Sequence, residues 1–246
     1  MDFDAAACYN SLSVLLLADT VYEMISVIIP VYNEEKVIRE TLANLPYNDG
    51  LEVIVVDGGS IDRTLEFAGQ FQVKIITSQK GRALQMNAAA KSAQGDAFIF
   101  LHGDCILEKE GVAAVKEALA KGYDGGCLTQ RIRSPGVIFR WIEASGNIRA
   151  RLFKIFYGDQ AIFVRRDVFL RAGGFDEVRL FDDVIFSRKL KRMAKVCVLD
   201  KRVYTSARRW QKEGVVKATV IHMLLTLGLS LGIHPNILKK IYPDIR

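Results

Sequence analysis

The chain has 246 residues, half of them apolar and a quarter charged, with only 5 prolines and 19 glycines. This suits one large or two small globular domains with a sizeable core and excludes a disordered or low-complexity chain. The net charge of +6 is unevenly held: Arg131 to Arg246 carries 24 lysines and arginines against 10 acidic residues, so the second half points to an anionic partner or a solvated basic face.

Residues 1–23 read poorly as a signal peptide. Asp2 and Asp4 stand where basic residues belong, and the apolar core from Leu12 to Ala18 is short. The segment is expected to be an N-terminal extension outside the fold. The first strand is "ISVIIPV" at 25–31, followed by helical "NEEKVIRETLANL". "LEVIVVD" at 51–57 is the second strand, and "SIDRTLEFAGQ" a helix that Ser60 can cap. "QVKIIT" at 72–77, helical "RALQMNAAAKSA" at 82–93 and strand "AFIFL" at 97–101 continue the alternation. Strands alternating with helices of about 10–15 residues predict βαβ units and an α/β fold with a mostly parallel sheet flanked by helices.

The second half is less regular. A helix is expected at 111–120, a strand at 125–132, a helix at 136–156, a strand at 160–166, a helix at 182–193 and a strand at 195–200. Gly173 and Gly174 are expected to end a short helix after Asp167. The stretch from Val215 to Ile233 is strongly apolar but interrupted by Lys217, His222, Gly228 and Gly232. A span needs ~20 apolar residues, so a packed helix, a helix on a membrane face and a true span all stand as readings of this tail. The domain reading is therefore 1–23 extension, 24–211 α/β domain and 212–246 helical tail. Cys8, Cys105, Cys127 and Cys197 form no C-x-x-C pair, which suits free thiols in a reducing, cytoplasmic setting.

In open parallel sheets, ligands bind outside the carboxyl ends of the strands. Those ends carry Pro30, Tyr32 and Glu34 after the first strand, and Asp57 in "DGGS" after the second. Arg82 and Gln85 follow the third, and His102 and Asp104 in "HGD" follow the fourth. Asp57 can accept from a base or ribose, or simply close a turn. Arg82 can pair with phosphate as a rigid fork, or sit as a helix-surface charge. Asp104 offers hard oxygen to Mg2+ or Mn2+, which favour few carboxylates plus phosphate oxygens, or is an ordinary turn aspartate. No G-x-G-x-x-G fingerprint and no Walker lysine motif is present. The pattern is that of a nucleotide with a metal, bound without the usual phosphate loop.

Five segments in order, "SVIIPVYNEE", "VIVVDGGSIDRT", "GRALQMNAAAKSAQGDAFIFLHGD", "YGDQAIFVRRDVFLRAGGF" and "FDDVIFSRKL", resemble family 2 glycosyltransferases of the GT-A fold. "GRALQMN", "GDQAIFVRR" and "TSARRW" are most similar to the small bacterial selenium-domain-associated subgroup. The resemblance spans roughly Ile25 to Trp210. It implies a nucleotide-diphosphate sugar donor, with Pro30, Tyr32 and Glu34 in the nucleotide-binding first loop and Asp57 on the base or ribose. It implies Arg82 near the nucleotide, Asp104 as the last carboxylate of the D-x-D metal motif, and Asp183 as the general base of an inverting transfer. His102 departs from the pattern by replacing the first aspartate, where it could serve as a second metal ligand or a phosphate contact, or simply be packed or hydrogen-bonded.

Asp159 or Gln160 in "YGDQ" could hydrogen-bond a sugar hydroxyl. Arg208 or Arg209 could meet the diphosphate with Trp210 against a sugar face, or the segment could be a basic turn with a packed indole. The competing readings are a nucleotide-binding, non-catalytic protein on a decayed transferase fold, which His102 keeps open, and a nucleotidyltransferase, which would want a basic loop where "NEE" stands. No nucleic-acid partner is expected, because aromatic residues are not interleaved with the basic ones. The acceptor is unassigned. The apolar tail hints at a lipid-linked one, met at the cytoplasmic membrane face through the C-terminal helix.

Overall fold

The apolar runs of the first half become the centre of one eight-stranded sheet in the computed structural model, which describes residues 22–48 and 50–242. The N-terminal extension up to residue 21, Cys8 and the last four residues of the tail lie outside the described residues. In chain order the elements are β1 (Ile25–Val31), α1 (Ile38–Ala43), β2 (Leu51–Asp57), α2 (Thr64–Ala68), β3 (Lys74–Thr77), α3 (Arg82–Ser92), β4 (Ala97–Phe100) and β5 (Cys105–Leu107). There follow α4 (Gly111–Ala120), β6 (Gly125–Arg133), α5 (Val137–Phe153), a 3-10 turn at Gly158–Gln160, β7 (Ile162–Arg165), α6 (Arg166–Arg171) and α7 (Asp182–Met193). The chain closes with β8 (Val196–Ser206), α8 (Arg208–Glu213), α9 (Val215–Ser230), α10 (Pro235–Leu238) and a 3-10 turn at Lys239–Ile241.

The strand order is β3-β2-β1-β4-β7-β6-β8-β5. β3, β2, β1 and β4 are mutually parallel, β7 runs antiparallel between β4 and β6, and β6 and β8 are parallel. Alternation along β1 sorts the core onto two faces. Ile25, Val27, Ile29 and Val31 pack with α1 and α4, while Ile28 joins Ile54, Val56, Phe98 and Phe100 against α3 and α7. Both faces are covered, which is why these strands read as unbroken apolar runs.

Three expectations change. The helix after β1 starts at Ile38 rather than at Asn33, because the backbone N–H groups of Asn33, Glu34 and Glu35 donate to the side chains of Ser60, Thr64 and Asp62. The same contacts correct the Ser60 cap: its hydroxyl donates to Asp57, and the helix begins only at Thr64. The strand expected at 195–200 runs on to Ser206, with a register shift against β6 that skips Asp200 and Lys201, and its second half pairs with the unforeseen β5.

Gly173 and Gly174, at φ of 73° and 69°, end α6 by donating to Leu170 and Phe169 carbonyls, as the sequence implied. Cys105 and Cys127 are buried free thiols and Cys197 a partly buried one. The tail packs through Leu225, Leu229 and Leu238 against Phe181 and Val184. Among the described residues no helix is long and apolar enough to cross a membrane, which removes the span reading of α9.

Candidate active site

Register brings distant segments to one edge. β4 and β7 pair antiparallel with Phe100 opposite Ile162, so the residues leaving β4 lie beside those entering β7. His102 is thereby set against the turn at Gly158–Gln160. A methyl group on Gly158 would stand 2.5 Å from His102 Nε2 and 3.2 Å from Asp183 Oδ2, so any larger residue would displace one of these side chains. The Gly158 N–H donates to Asp183 Oδ2 at 2.7 Å and draws the start of α7 to the same point. On the other side, β5 pairs with the end of β8, Cys105 opposite Thr205. That register puts Arg208 next to Asp104, with Arg208 Nη2 3.2 Å from Asp104 Oδ2 and Nη1 3.1 Å from Glu34 Oε2.

These groups wall a cavity of about 790 Å³ that includes Glu34, Arg82, His102, Asp104, Asp159 and Asp183. Arg208, Arg209 and Trp210 close it on the α8 side. Arg82 grips Asp182 with two donors and stands 3.5 Å from Asp183 Oδ2. A cation in the first turn of α3 opposes the helix dipole; the two aspartates account for its presence. Of the "DD" pair, Asp182 is held by Arg82, whereas Asp183 faces the cavity. Trp210 packs edge-on against Phe139, with ring centroids 5.9 Å apart.

Burial sets the protonation of the inner groups. It pushes His102 down to about 4, with Arg82 adding to the effect, so the imidazole is neutral at neutral pH. It raises the Asp159 carboxyl to about 6, against the pull of Arg149. Asp159 Oδ2 accepts from Gln130, while Oδ1 is buried without a partner.

The remaining expected residues lie elsewhere. Gln85 donates both amide hydrogens to the Val31 and Val56 carbonyls and ties β1 to β2. Gln160 is fully buried, its carbonyl accepting from Arg149 and from the Tyr157 N–H. Neither amide is among the residues lining the cavity. Asp57 closes its own turn, accepting from the Gly59 and Ser60 N–H groups and the Ser60 hydroxyl. Tyr32 stacks under Lys80 Nζ at 3.8 Å, and Pro30 sits within β1 opposite Val56; none of these three lines the cavity.

Other lining residues were not foreseen. Arg149 lies 3.3 Å over the Tyr157 ring, and His222 meets that ring edge-on at 5.2 Å. They come from the inner faces of α5 and α9, whose apolar residues were the visible signal.

A divalent ion fits this edge. His102, Asp104 and Cys105 offer ligand atoms that all lie within 4.8 Å of one another. Among the described residues His102 Nε2 is buried without a hydrogen-bond partner, and Asp104 Oδ1 accepts from the Cys105 thiol at 3.8 Å. Burial pushes the Cys105 thiol well above its ordinary value, and a soft sulfur ligand is a poor match for a hard cation. One carboxylate with one imidazole, completed by phosphate oxygens, suits Mn2+ or Mg2+.

Comparison with known proteins agrees with this geometry. The profile of Glycosyl transferase family 2 matches residues 26–175. The probable glycosyltransferase YdaM of Bacillus subtilis (strain 168) is 28% identical over 218 residues, 77% of this chain and 50% of YdaM. The poly(ribitol-phosphate) beta-N-acetylglucosaminyltransferase TarS of Staphylococcus aureus (strain Mu50 / ATCC 700699) is 27% identical over 79% of this chain and 37% of its own length. The chain thus spans half or less of these curated relatives. The mannosyltransferase PcManGT from Pyrobaculum calidifontis, solved with GDP-Man and Mn2+, superposes with a TM-score of 0.65 at 19% identity. That match covers 98% of this chain and 73% of the other, and it shows a shared GT-A fold. With more than half its length matched by the family profile, the chain belongs to glycosyl transferase family 2.

Proposed function

We propose that the protein moves a sugar from a nucleotide-diphosphate sugar to an acceptor hydroxyl with inversion. One observation carries this reading: His102, Asp104 and Asp183, from segments far apart in sequence, wall one cavity at the carboxyl edge of the parallel strands. Asp183 takes the acceptor proton, its direction fixed by the Gly158 N–H and by Arg82. Arg208, held by Glu34, places a guanidinium fork at the edge where the diphosphate departs. Mg2+ or Mn2+ held by Asp104 and His102 would supply positive charge beside that leaving group. Asp57, Pro30 and Tyr32, beyond the cavity wall, are the nucleoside side. Asp159 offers its unpartnered oxygen to a sugar hydroxyl, and Trp210 and Arg209 complete the acceptor side.

The "GRALQMN" and "TSARRW" segments support the selenium-domain-associated subgroup. The reading keeps the domain division at residue 211 and a lipid-linked acceptor met at the cytoplasmic membrane face. PcManGT and a solved TarS fragment are described with GDP-Man and UDP-GlcNAc, which makes these two the first donors to try.

The test is incubation of the protein and Mn2+ with either donor and a bacterial membrane extract. Release of nucleoside diphosphate, with a product of inverted anomeric configuration by NMR, is expected. Release of pyrophosphate instead would favour a nucleotidyltransferase. Donor bound but never consumed would favour the non-catalytic reading.

A further inference from the structure

Helix α5 is inside out. Its inward positions include Glu143 and Asn147, both buried. Glu143 accepts from the Ile132 N–H, and Asn147 exchanges two hydrogen bonds with the Gln130 backbone, so the helix docks on β6 partly through polar groups. Its outward stripe is apolar: Val137, Trp141, Ile148 and Leu152, at helical spacing, with Trp141 71% exposed. A helix that lays polar groups on its own protein and turns an indole outward is patterned for an apolar or interfacial surrounding.

Helix α9 repeats the feature. Ala218, Leu225 and Leu229 face the protein, while Val216, Val220, Leu224, Leu227 and Leu231 form a second exposed stripe along and just past the helix. Single exposed apolar residues are ordinary, but continuous stripes on two helices mark an interaction surface. The two helices are neighbours in function as well. The inner faces of both wall the candidate active-site cavity, α5 through Ile142 and Arg149 and α9 through Ala218 and His222.

Charge selects the occupant. Residues 210–242 outside the cavity wall hold four lysines, Lys212, Lys217, Lys239 and Lys240, and one acidic residue, Glu213, which is paired with Arg209. Lys212, Lys217 and Lys240, on or flanking α9 in the chain, are exposed. An apolar stripe flanked by cations complements an anionic lipid surface, whose headgroups attract basic residues while its acyl boundary receives the apolar ones. Sixteen residues of helix span about 24 Å, short of a hydrocarbon core of about 30 Å, so α9 lies on such a surface and does not cross it.

We propose that α5 and α9 together bed on an anionic bilayer, one on each side of the cavity, so that the acceptor reaches Asp183 from the lipid phase. The assignment of the acceptor rests on the transferase reading above; the lipid contact does not. Trp141 and Ile148 on α5 enter the headgroup boundary as α9 does, which makes the contact a two-helix footprint and not a property of the tail.

The test is co-sedimentation of the full chain with vesicles of phosphatidylcholine alone or mixed with phosphatidylglycerol. Binding to the mixed vesicles is expected, and weaker binding to the neutral ones. Trp141→Glu/Leu152→Glu on α5 and Leu224→Glu/Leu227→Glu on α9 should each weaken it by about tenfold or more. All four positions are exposed and outside the cavity lining, so thermal melts and UDP or GDP titration should match wild type. A wild type that stays in the supernatant with both vesicles would overturn the proposal. So would an α5 variant that binds like wild type, or a dimer that both variants dissolve without any vesicle binding. Vesicle binding with no nucleotide binding would leave the lipid surface standing and remove the transferase reading alone.

Discussion

Asp183→Asn is expected to lower sugar transfer by about 10²–10⁴-fold, the usual contribution of a positioned general base. Asparagine keeps the shape of aspartate and still accepts from the Gly158 N–H, now 2.7 Å from Asp183 Oδ2. It cannot take a proton. Nucleotide affinity should therefore stay within about twofold of wild type, giving a fall in kcat without a matching change in donor binding. Asp182→Asn separates the two carboxylates. Asp182 is clasped by Arg82 and does not line the cavity, so its loss should act on the placement of Arg82 more than on chemistry. A steady-state assay of both variants decides the matter. Full activity in Asp183→Asn would assign the proton transfer to another group, with Asp159 the next carboxylate on the cavity wall.

Arg82→Met is expected to destabilise the fold by about 2–3 kcal/mol. The full cost of orphaning one partner of a buried pair is about 3–5 kcal/mol; Arg82 is 35% exposed and already partly solvated, so a smaller loss follows. What remains after the substitution is Asp182, with its side chain 2% exposed and no cation. The double variant Arg82→Met/Asp182→Asn removes that charge and should recover most of the loss in urea unfolding. A double variant no more stable than Arg82→Met would show that the ion pair is not what the fold depends on here.

How much of this was legible in the sequence depends on the kind of contact. β1, β2 and β4 were plain because a strand covered on both faces must be apolar throughout. That Asp104 and Asp183 come to one edge was legible because short motifs hold them at strand and helix ends. β5 was invisible: three residues, "CIL", carry no period, and the charged Asp200 and Lys201 hide the continuation of β8 that pairs with it. The hydrogen-bond partners of Gln85 and Gln160 were not legible, because nothing local says whether an amide faces a ligand or a neighbouring carbonyl. Arg149 and His222 escaped for a related reason. They sit on helices whose conspicuous residues point away from the site, and only tertiary packing reveals the inner face.

The most direct test of the central claim is calorimetric titration of UDP and GDP, with and without Mn2+, into the wild type and into Asp104→Ala. The account predicts that one of the two nucleotides binds, more tightly with Mn2+, and that Asp104→Ala loses the Mn2+-dependent part while keeping its fold. If neither nucleotide binds under any metal condition, the cavity beside His102, Asp104 and Asp183 is not a donor site for these bases and the account is contradicted.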